Sequence, residues 1–581
     1  MAANQTGDQG IQEVGGPEAP KDPVARRSSF FIMFESVIEA TARSGGKPSQ
    51  EIYLDGNQFS DKARWIGGVT DERCLELLKS STGFRELVHS IGVTVKAHSE
   101  DTKAVHFVLQ HWGRTDKYET GTLLRVPCPA DGSETLITPG EYPRSSDDDV
   151  PGKLAIEFEQ AGELATASII LYLQEGFRVP EISLEPPVDF ESAGYREMIA
   201  GSLLSKGNNK RLKTAIEKAK RGEEVTIAYI GGSITQGAGA KPLHTNCYAY
   251  KSYLLFKQMF GKEEGSHIHF IKAGVGGTPS ELGIIRYERD ILRGGDVTPD
   301  IVVVEFAVND AGDETMGNCY ESLCLKILTS ANKPAVILLF GVFLNDWNLQ
   351  DRLAPVGWHY DLPMVSVKDA AVGQFHLTKA EGNIISKRQF FYDIYHPAND
   401  GHSVMADCLA HLFAETALSA LDPEDIAIVG QPVIGNDFKA VRLLDRSSRE
   451  GAARIDAGGF IGIDSELQMV EMDDHPYGSP EFPDNWMHTA SSGSGSFKMA
   501  IYSKSLILVY KDSGNPEFGS AEIRVDGQMV KLADPHGNNW THCNPVLLYQ
   551  EKDAGEHLVE IKMAAGHESK RFTILGFGYV R

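Results

Sequence analysis

The pattern of hydrophobic and polar positions changes twice along this chain. In the first part, short apolar or alternating runs such as "AVHFVLQHWG" and "TASIILYLQ" are separated by turn-forming segments such as "PADGSE". Strands of this length and spacing, with one helix-like segment ("TDERCLELLKSS") among them, are typical of a β-sandwich. We therefore predict an N-terminal β-sandwich accessory domain over residues 29–188.

The next part alternates near-continuous apolar strands, among them "VTIAYIGG", "DIVVVEFAV" and "AVILLFGVF", with amphipathic helices. This alternation predicts an α/β domain over residues 189–425, with a parallel sheet covered by helices on both faces. Short alternating strands then return, with a hairpin-type turn at "VDGQ". They predict a second β-sandwich over residues 426–581, whereas the polar residues 1–28 are expected to form a flexible tail.

The composition of this 581-residue chain argues against some classes of binding partner. Its formal net charge of -24 argues against binding to nucleic acid or to an anionic membrane. No run approaches the roughly 18 apolar residues of a membrane helix, and the N-terminus lacks the pattern of a signal peptide. A cytoplasmic location is therefore expected, and the sequence leaves the oligomeric state open.

Cysteine and histidine spacing gives no sign of a metal site or a disulfide framework. The seven cysteines are scattered, with no CxxC, and the sequence has no HExxH or paired Cys/His cluster. This pattern favours reduced thiols and predicts neither a metal site nor a cofactor.

Chemically useful residues follow the strands of the predicted parallel sheet. Ser233 follows the first strand in "GGSITQG", Gly277 lies in "AGVGGTPS", and Asn309 lies in "AVND". Asp393 and His396 lie in "YDIYHPANDGH", just before the last helix. Because the carboxyl ends of parallel strands meet at one edge of a sheet, we expect these residues to lie close together.

Together these residues have the parts needed for acyl transfer. Ser233 would be the nucleophile, His396 its general base, and Asp393 the group that orients the imidazole. The backbone N–H groups of Ser233 and Gly277 and the amide of Asn309 would form the oxyanion hole. Taken singly, Ser233 is more easily explained as a helix cap, Asn309 as a turn residue, and Asp393 with His396 as a surface pair. Their joint placement after successive strands favours the catalytic interpretation.

These blocks resemble those of the SGNH/GDSL hydrolases. "GGSITQG" is similar to the nucleophile block, "AGVGGTPS" to the glycine block, "AVND" to the GxND block and "DIYH" to the DxxH block. The resemblance covers about 200 residues and implies a flavodoxin-like three-layer fold, ester hydrolysis through an acyl-enzyme, and the roles given above. Gly232 stands where the family has an acidic residue, and Ala307 where it has glycine. Neither departure removes a catalytic side chain.

The predicted domain order narrows the substrate class. A hydrolase between two β-sandwiches resembles the multidomain carbohydrate esterases that remove acetyl groups from mannan- or xylan-type glycans. This resemblance implies an acetylated oligosaccharide as substrate. Trp358, His359, Trp540 and Asn544 are candidate sugar-binding residues, although core packing explains a single tryptophan equally well. A general short-chain esterase or thioesterase, an acyltransferase, and a non-catalytic carbohydrate-binding scaffold remain alternatives.

Overall fold

The structure is a computed structural model, and it describes residues 29–43, 46–54, 58–65, 67–179, 185–448, 451–538 and 540–581. The predicted tail, residues 1–28, lies outside the described residues. The chain forms an N-terminal pair of antiparallel sheets, a central sheet of mostly parallel strands and a C-terminal antiparallel sheet. This arrangement confirms the predicted mixed α/β class with β-rich regions beside it.

The described residues of the N-terminal region form strands and three short α-helices. These elements are β1 (Phe30–Glu39), β2 (Ser49–Tyr53), α1 (Gln58–Trp65), α2 (Glu72–Leu77), α3 (Ser81–Leu87), β3 (Val88–Ala97), β4 (Ala104–Gly113), β5 (Leu123–Pro129), β6 (Asp131–Ile137), β7 (Asp148–Glu157) and β8 (Leu164–Leu173).

These strands form two four-stranded antiparallel sheets, with the orders β1-β8-β3-β6 and β2-β7-β4-β5. Alternate residues of β3, such as Ile91, Val93 and Val95, are fully buried in the core that the two sheets share. This alternation follows from the two-residue period of side chains along a strand. The sequence predicted one helix here, but α1 and α3 were not predicted, because helices this short have too little periodicity to be recognised.

The described residues of the central region form α-helices and a six-stranded sheet. Its elements are α4 (Ala193–Ala200), β9 (Leu203–Ser205), α5 (Lys210–Arg221), β10 (Val225–Gly231), α6 (Ser233–Gln236), α7 (Leu243–Asn246), α8 (Tyr248–Phe260), β11 (Ile268–Gly274), α9 (Ser280–Asp290), β12 (Ile301–Glu305), α10 (Asn318–Leu328), β13 (Ala335–Phe340), α11 (Gln350–His359), β14 (Met364–Ser366), α12 (Val367–Phe375), α13 (Lys387–Phe390) and α14 (Asn399–Leu418).

The central sheet has the order β11-β10-β12-β13-β14-β9, and all neighbours are parallel except β14 and β9. Both faces of the sheet are buried. In β10, Ile227 and Tyr229 belong to one apolar core, whereas Ala228 and Ile230 belong to the other. Strands buried on both faces must be apolar at nearly every position, which explains the continuous apolar runs of the sequence.

The described residues of the C-terminal region form an eight-stranded antiparallel sheet and a separate two-stranded pair. The two longest strands, β20 and β23, pair with each other through register shifts in the middle of their length. The strands are β15 (Arg442–Leu444), β16 (Ala453–Asp456), β17 (Met469–Val470), β18 (Ser479–Pro480), β19 (Trp486–His488), β20 (Phe497–Asp512), β21 (Ala521–Val525), β22 (Gln528–Ala533), β23 (His542–Met563) and β24 (Phe572–Val580).

The central and C-terminal regions share a hydrophobic core. Ile507 and Val509 of β20 and Leu575 of β24 are buried in the same cluster as Ile285 of α9. A Cβ atom added at Gly578 would lie 2.5 Å from a side-chain carbon of Ile285, so the two regions pack closely there. The C-terminal sheet is therefore packed directly against the region that contains the predicted catalytic residues.

Two further features bear on the chemistry of the chain. All seven cysteines are buried and unpaired. Within the described ranges, no helix has the length and apolar character needed to cross a membrane, and no cluster of three or more His, Cys, Asp or Glu residues is arranged to hold a metal ion.

Candidate active site

The residues predicted to act together begin at aligned strand ends. Gly231, the last residue of β10, is in register with Gly274 of β11 on one side and with Glu305 of β12 on the other. The three loops that leave these strands therefore start at the same level of the sheet. Ser233, Gly277 and Asn309 lie on these loops, at the carboxyl edge where open parallel sheets bind ligands.

Two glycines before Ser233 are required by close packing. A Cβ atom at Gly231 would lie 2.2 Å from the hydroxyl of Thr235 and 2.5 Å from the carbonyl oxygen of Glu305. A Cβ atom at Gly232 would lie 2.1 Å from Oδ1 of Asn309. Such distances are far below van der Waals contact, so any larger residue would push Ser233 and Asn309 apart. The glycine at 232, a departure from the usual family motif, thus lets the Asn309 side chain approach Ser233.

Helix α6, which begins at Ser233, is anchored by a buried hydroxyl network. Thr235 is fully buried, and its Oγ1 lies 2.8 Å from the hydroxyl of Tyr248 and 3.1 Å from Oε2 of Glu305. Burial raises the pKa of Glu305 to about 7. Thr235 therefore has a structural role, because its hydroxyl fixes the short helix to the sheet.

Asp393 and His396 form a compact local unit. The Asp393 carboxylate accepts hydrogen bonds from the backbone N–H groups of Tyr395 and His396, each at 2.8 Å. The same carboxylate lies 2.9 to 3.0 Å from Nδ1 of His396. Asp393 and His396 can make this contact although only three residues separate them, because the chain turns back on itself at a bridge between Phe391 and Pro397. The turn makes this Asp–His contact a local property of the sequence.

The serine and the histidine meet across 163 residues of chain. Nε2 of His396 lies 2.9 Å from Oγ of Ser233, within hydrogen-bonding distance. An imidazole that donates its Nδ1–H to Asp393 presents the lone pair of Nε2 to the serine hydroxyl. All three side chains are only partly buried, so the group is accessible to solvent.

Electrostatics keep the acidic member of this group ionised. Burial by itself would raise the pKa of Asp393, but the imidazole of His396, the ammonium of Lys62 and the backbone donor of Tyr395 together hold that pKa well below its usual value. A permanent carboxylate at this position can stabilise an imidazolium formed on His396.

A second histidine near the site, His402, is neutral. Burial lowers its pKa to about 3. Its two ring nitrogens bond to the backbone N–H of Tyr248 and the carbonyl oxygen of Ala238. This ring is therefore a fixed structural group, and His396 is the histidine available for proton transfer to Ser233.

The predicted oxyanion donors remain unused within the described parts of the chain. Neither the backbone N–H of Ser233 nor that of Gly277 donates a hydrogen bond there, and the Nδ2 group of Asn309 does not donate one either. Gly277 is exposed and Asn309 is partly exposed. These three N–H groups therefore remain available to bind a ligand.

The conformation of Gly277 depends on residues from the C-terminal sheet. Its φ of +71° lies in the left-handed region that favours glycine, and a Cβ atom would lie 2.8 Å from the ring of Trp540. The carbonyl oxygen of Gly277 accepts a hydrogen bond from Nε2 of His542 at 3.0 Å. Nδ2 of Asn538 lies 3.1 Å from Nδ1 of His542 and can donate to it, which places the ring proton on Nε2, and the carboxylate of Asp512 accepts from the same Nδ2 at 2.9 Å.

Two glutamines complete the support of this loop. Oε1 of Gln236 accepts a hydrogen bond from the N–H of Gly276 at 2.8 Å, and Nε2 of Gln468 donates to the carbonyl oxygen of Gly276 at 2.8 Å. Nε2 of Gln236 also donates to Glu471. No sequence signal marked these glutamines, because a polar residue in a loop is the commonest pattern in any chain.

One of the four candidate sugar-binding residues lies at the site. Trp540 stands beside Gly277, with its ring 4.9 Å from that of His542, and it is only partly buried. It is the candidate whose described contacts reach the loops around Ser233.

The other three candidates have contacts elsewhere. Trp358 is 55% exposed near the end of α11, and His359 packs its ring on Tyr360, with 4.6 Å between the centroids. Asn544 donates its amide to the hydroxyl of Tyr510 at 2.9 Å. The described contacts of these three residues therefore give no support for a place beside Ser233.

An aromatic row that the sequence did not single out as a unit leads to His396. The ring of Tyr395 lies 6.1 Å from that of His396 and 5.1 Å from that of Phe343, and Phe343 stacks on Trp347 at 5.9 Å. Tyr395 is 38% exposed. This row provides an apolar surface beside His396, whereas the loop at Gly277 is polar.

Comparisons with known proteins give two esterases of similar structure. A two-domain esterase active on acetylated mannans has a similar structure, with 26% sequence identity and a TM-score of 0.57, over 66% of this chain and 99% of that one. A structure of such an esterase co-crystallised with mannopentaose gives 26% identity and a TM-score of 0.55, over 66% and 98% of the two chains. No family profile and no curated protein sequence matches this chain.

The fold and these structural neighbours identify a carboxylic ester hydrolase. The resemblance to the SGNH/GDSL carbohydrate esterases that the sequence predicted is thereby confirmed. About a third of this chain lies outside the match, since the similarity covers 66% of it.

Proposed function

We propose that this protein is a serine esterase that removes O-acetyl groups from an oligosaccharide of the mannan or xylan type, with an SGNH-type catalytic domain. The observation that carries the proposal is the chain of contacts from Asp393 to His396 to Ser233, with ring nitrogens 2.9 Å from the carboxylate and from the hydroxyl. The mannan-active esterase with a similar structure supports the acetylated sugar as the substrate class.

The proposed reaction has two halves, acylation and deacylation, and the same residues act in both. His396 accepts the proton of Ser233 as Oγ attacks the acetyl carbonyl, and Asp393 stabilises the imidazolium that results. The oxyanion binds to the N–H groups of Ser233 and Gly277 and to the amide of Asn309. The bond between the acetyl carbon and the sugar oxygen then breaks, His396 gives its proton to that oxygen so that the sugar departs as an alcohol, and the acetyl group stays on Ser233. Water, activated by the same imidazole, releases acetate and restores the serine.

Trp540 is the proposed sugar-stacking residue, because it stands beside the oxyanion loop and keeps part of its ring exposed. Aromatic faces bind the apolar faces of sugar rings, and the flanking donors bind hydroxyl groups. The general short-chain esterase, the acyltransferase and the non-catalytic binding scaffold are the alternatives that the following experiment separates.

The test is acetate release from acetylated manno- and xylo-oligosaccharides, followed by mass spectrometry, with Ser233→Ala beside the wild type. We expect kcat to fall by about 10⁴- to 10⁶-fold in the variant while the protein stays folded. Ser330→Ala, which removes a hydroxyl bonded to the carbonyl oxygen of Lys326 just after the end of α10, is the matched control and should retain activity.

Each alternative has its own outcome in this experiment. A wild type that binds the sugars and releases no acetate would leave only the binding scaffold, and a Ser233→Ala variant with unchanged turnover would exclude Ser233 as the nucleophile. Faster turnover of esters with butyrate or longer acyl chains than of acetylated sugars would indicate a general esterase. Transfer of acetyl to a second sugar, detected by its mass, would indicate an acyltransferase.

A further inference from the structure

Helix α1 of the N-terminal region docks on the segment that leads to Asp393. Lys62 and Trp65 are three residues apart in this helix and therefore lie on the same face. Nζ of Lys62 lies 5.7 Å from the centroid of the Tyr392 ring, and Nζ of Lys387 lies 4.6 Å from the ring of Trp65. Two cation–ring contacts thus join the helix to residues 387–392.

Strand β1 of the N-terminal region also contacts residues 387–392. The ring of Phe34, in β1, meets the edge of the Tyr392 ring with centroids 5.5 Å apart. The ring of Tyr392 therefore contacts both an aromatic ring and an ammonium from the N-terminal region. Since Tyr392 directly precedes Asp393, these contacts fix the backbone at the acidic residue of the proposed triad.

The ammonium of Lys62 is placed unusually for a lysine. The residue is only 2% exposed, yet across the described ranges its Nζ has the Tyr392 ring as its neighbour and forms neither an ion pair nor a hydrogen bond. A buried charge without compensation is costly, and the face of one aromatic ring offsets only part of that cost. The position of Lys62 therefore requires a second source of compensation.

Asp393 is the charge that provides it. Burial lowers the pKa of Lys62, and the negative charge of Asp393 is the one influence among the described groups that opposes this effect. Lys62 also acts on Asp393: burial raises the pKa of Asp393, whereas His396 and Lys62 both lower it. Two charges that are separated by more than about 4 Å still interact strongly where little water lies between them.

We propose that Lys62 is a positioning residue of the catalytic site: its buried ammonium, seated on the ring of Tyr392, supports the charged form of Asp393 and holds the segment that carries it. This inference rests on the proposed function, because it takes Asp393 and His396 as the acid and base of the reaction. The N-terminal region then contributes to catalysis without touching the substrate.

A pH profile reports on Lys62 only if the other titratable groups near Lys62 and Asp393 do not change their charge within the pH range of the assay. Burial raises the pKa of Tyr392, so its hydroxyl is neutral near pH 7. Burial also lowers the pKa of His402 to about 3, which makes that ring neutral as well. Neither group therefore changes its charge in the range of the assay.

The other nearby cations have carboxylate partners of their own. Arg43, which acts on Tyr392, forms an ion pair with Glu51 at 3.4 Å, and Lys387 forms one with Asp346 at 2.9 Å. Within the described ranges, Lys62 is thus the cation whose removal changes the charge near Asp393 without breaking an ion pair.

The experiment compares Lys62→Met, which removes the charge and keeps the length, with Lys62→Arg, which keeps the charge. Lys96→Met removes an exposed lysine of β3 in the same region and is the matched control. The readout is kcat/KM for a small acetyl ester as a function of pH, with thermal denaturation of each variant.

We expect Lys62→Met to lower kcat/KM about 10-fold, a loss typical of a supporting residue. Its acid limb should move up by about half a pH unit, because the Asp393–His396 pair keeps its proton more readily once a nearby positive charge is gone. Lys62→Arg should stay within about 3-fold of the wild type, with no shift of the limb, and Lys96→Met should match the wild type.

An unmoved acid limb in folded Lys62→Met would overturn the proposal, even if activity falls. If Lys62→Met does not fold, Lys62→Gln takes its place, and failure of both uncharged variants to fold beside a folded Lys62→Arg would assign Lys62 a structural role instead. Full activity of Ser233→Ala would refute the proposed function itself, whereas an inactive Ser233→Ala beside an unmoved limb would refute only the role of Lys62.

Discussion

The hydrogen bond from His542 to Gly277 gives the sharpest prediction about this site. Nε2 of His542 is the one side-chain donor to the carbonyl oxygen of Gly277 in the described structure, at 3.0 Å. The N–H of Gly277, which would bind the oxyanion, belongs to the preceding peptide, the one that joins Gly276 and Gly277. Replacing His542 by alanine leaves the carbonyl without this partner and frees the loop to rotate about a glycine that has few steric limits.

The size of the effect lies between two limits. Loss of the hydrogen bond alone costs about 1 kcal/mol, and complete loss of one oxyanion donor costs about 3 kcal/mol of transition-state stabilisation. We therefore expect His542→Ala to lower kcat by about 5- to 150-fold. KM for a small acetyl ester should change little, because the oxyanion contact strengthens only in the transition state.

The same sheet offers a matched control. Nδ1 of His557 lies 2.8 Å from Oδ2 of Asp526, so this pair repeats the Asp–His contact of residues 512 and 542 at a different place in the sheet. Steady-state kinetics with p-nitrophenyl acetate, run on His542→Ala and His557→Ala, separate a local effect from a general weakening of the sheet. A folded His542→Ala enzyme with the kcat of the wild type would show that this contact does not position the oxyanion donor.

Two further predictions concern residues beside Ser233. Asn309→Ala should lower kcat by about 10²- to 10³-fold with folding unchanged, because it removes an oxyanion donor, and a variant with full kcat would exclude Asn309 from the site. For Glu305, burial raises the pKa from 4.5 to about 7, so between these two pH values the folded state keeps a proton that the unfolded state has lost, and stability falls as the pH rises. Glu305→Gln lacks this loss, and its free energy of unfolding relative to the wild type should be higher at pH 8 than at pH 5, by up to about 3 kcal/mol. Urea denaturation at the two pH values measures this difference, and an equal difference at both values would contradict it.

Much of the site could be predicted because its elements are local. The strand–glycine–serine order at Gly231, Gly232 and Ser233 follows from an apolar strand that ends where packing admits no side chain. Asp393 and His396 meet within a single turn, so their three-residue spacing already implies contact. The parallel sheet could also be predicted from the sequence, since strands buried on both faces are apolar at nearly every position.

The supporting residues could not be predicted, because they come from other parts of the chain. Lys62 lies in an eight-residue helix that carries too little periodicity to be recognised, and nothing in its neighbours indicates that it is buried. Among the tryptophans, the sequence offered no reason to prefer Trp540 beside Gly277 over the exposed Trp358.

The amino-acid pattern alone was enough to locate the strand ends, the chemistry placed at each of them and the resemblance to a family of esterases. Three features needed the folded chain: the 2.9 Å approach of His396 to Ser233, the support of Gly277 by the C-terminal sheet, and the lysine that the N-terminal helix brings near Asp393. Hydrophobic periodicity reports which face of each element is buried. Which separate surfaces pack together depends on the fit of their shapes and charges, and no local pattern contains that information.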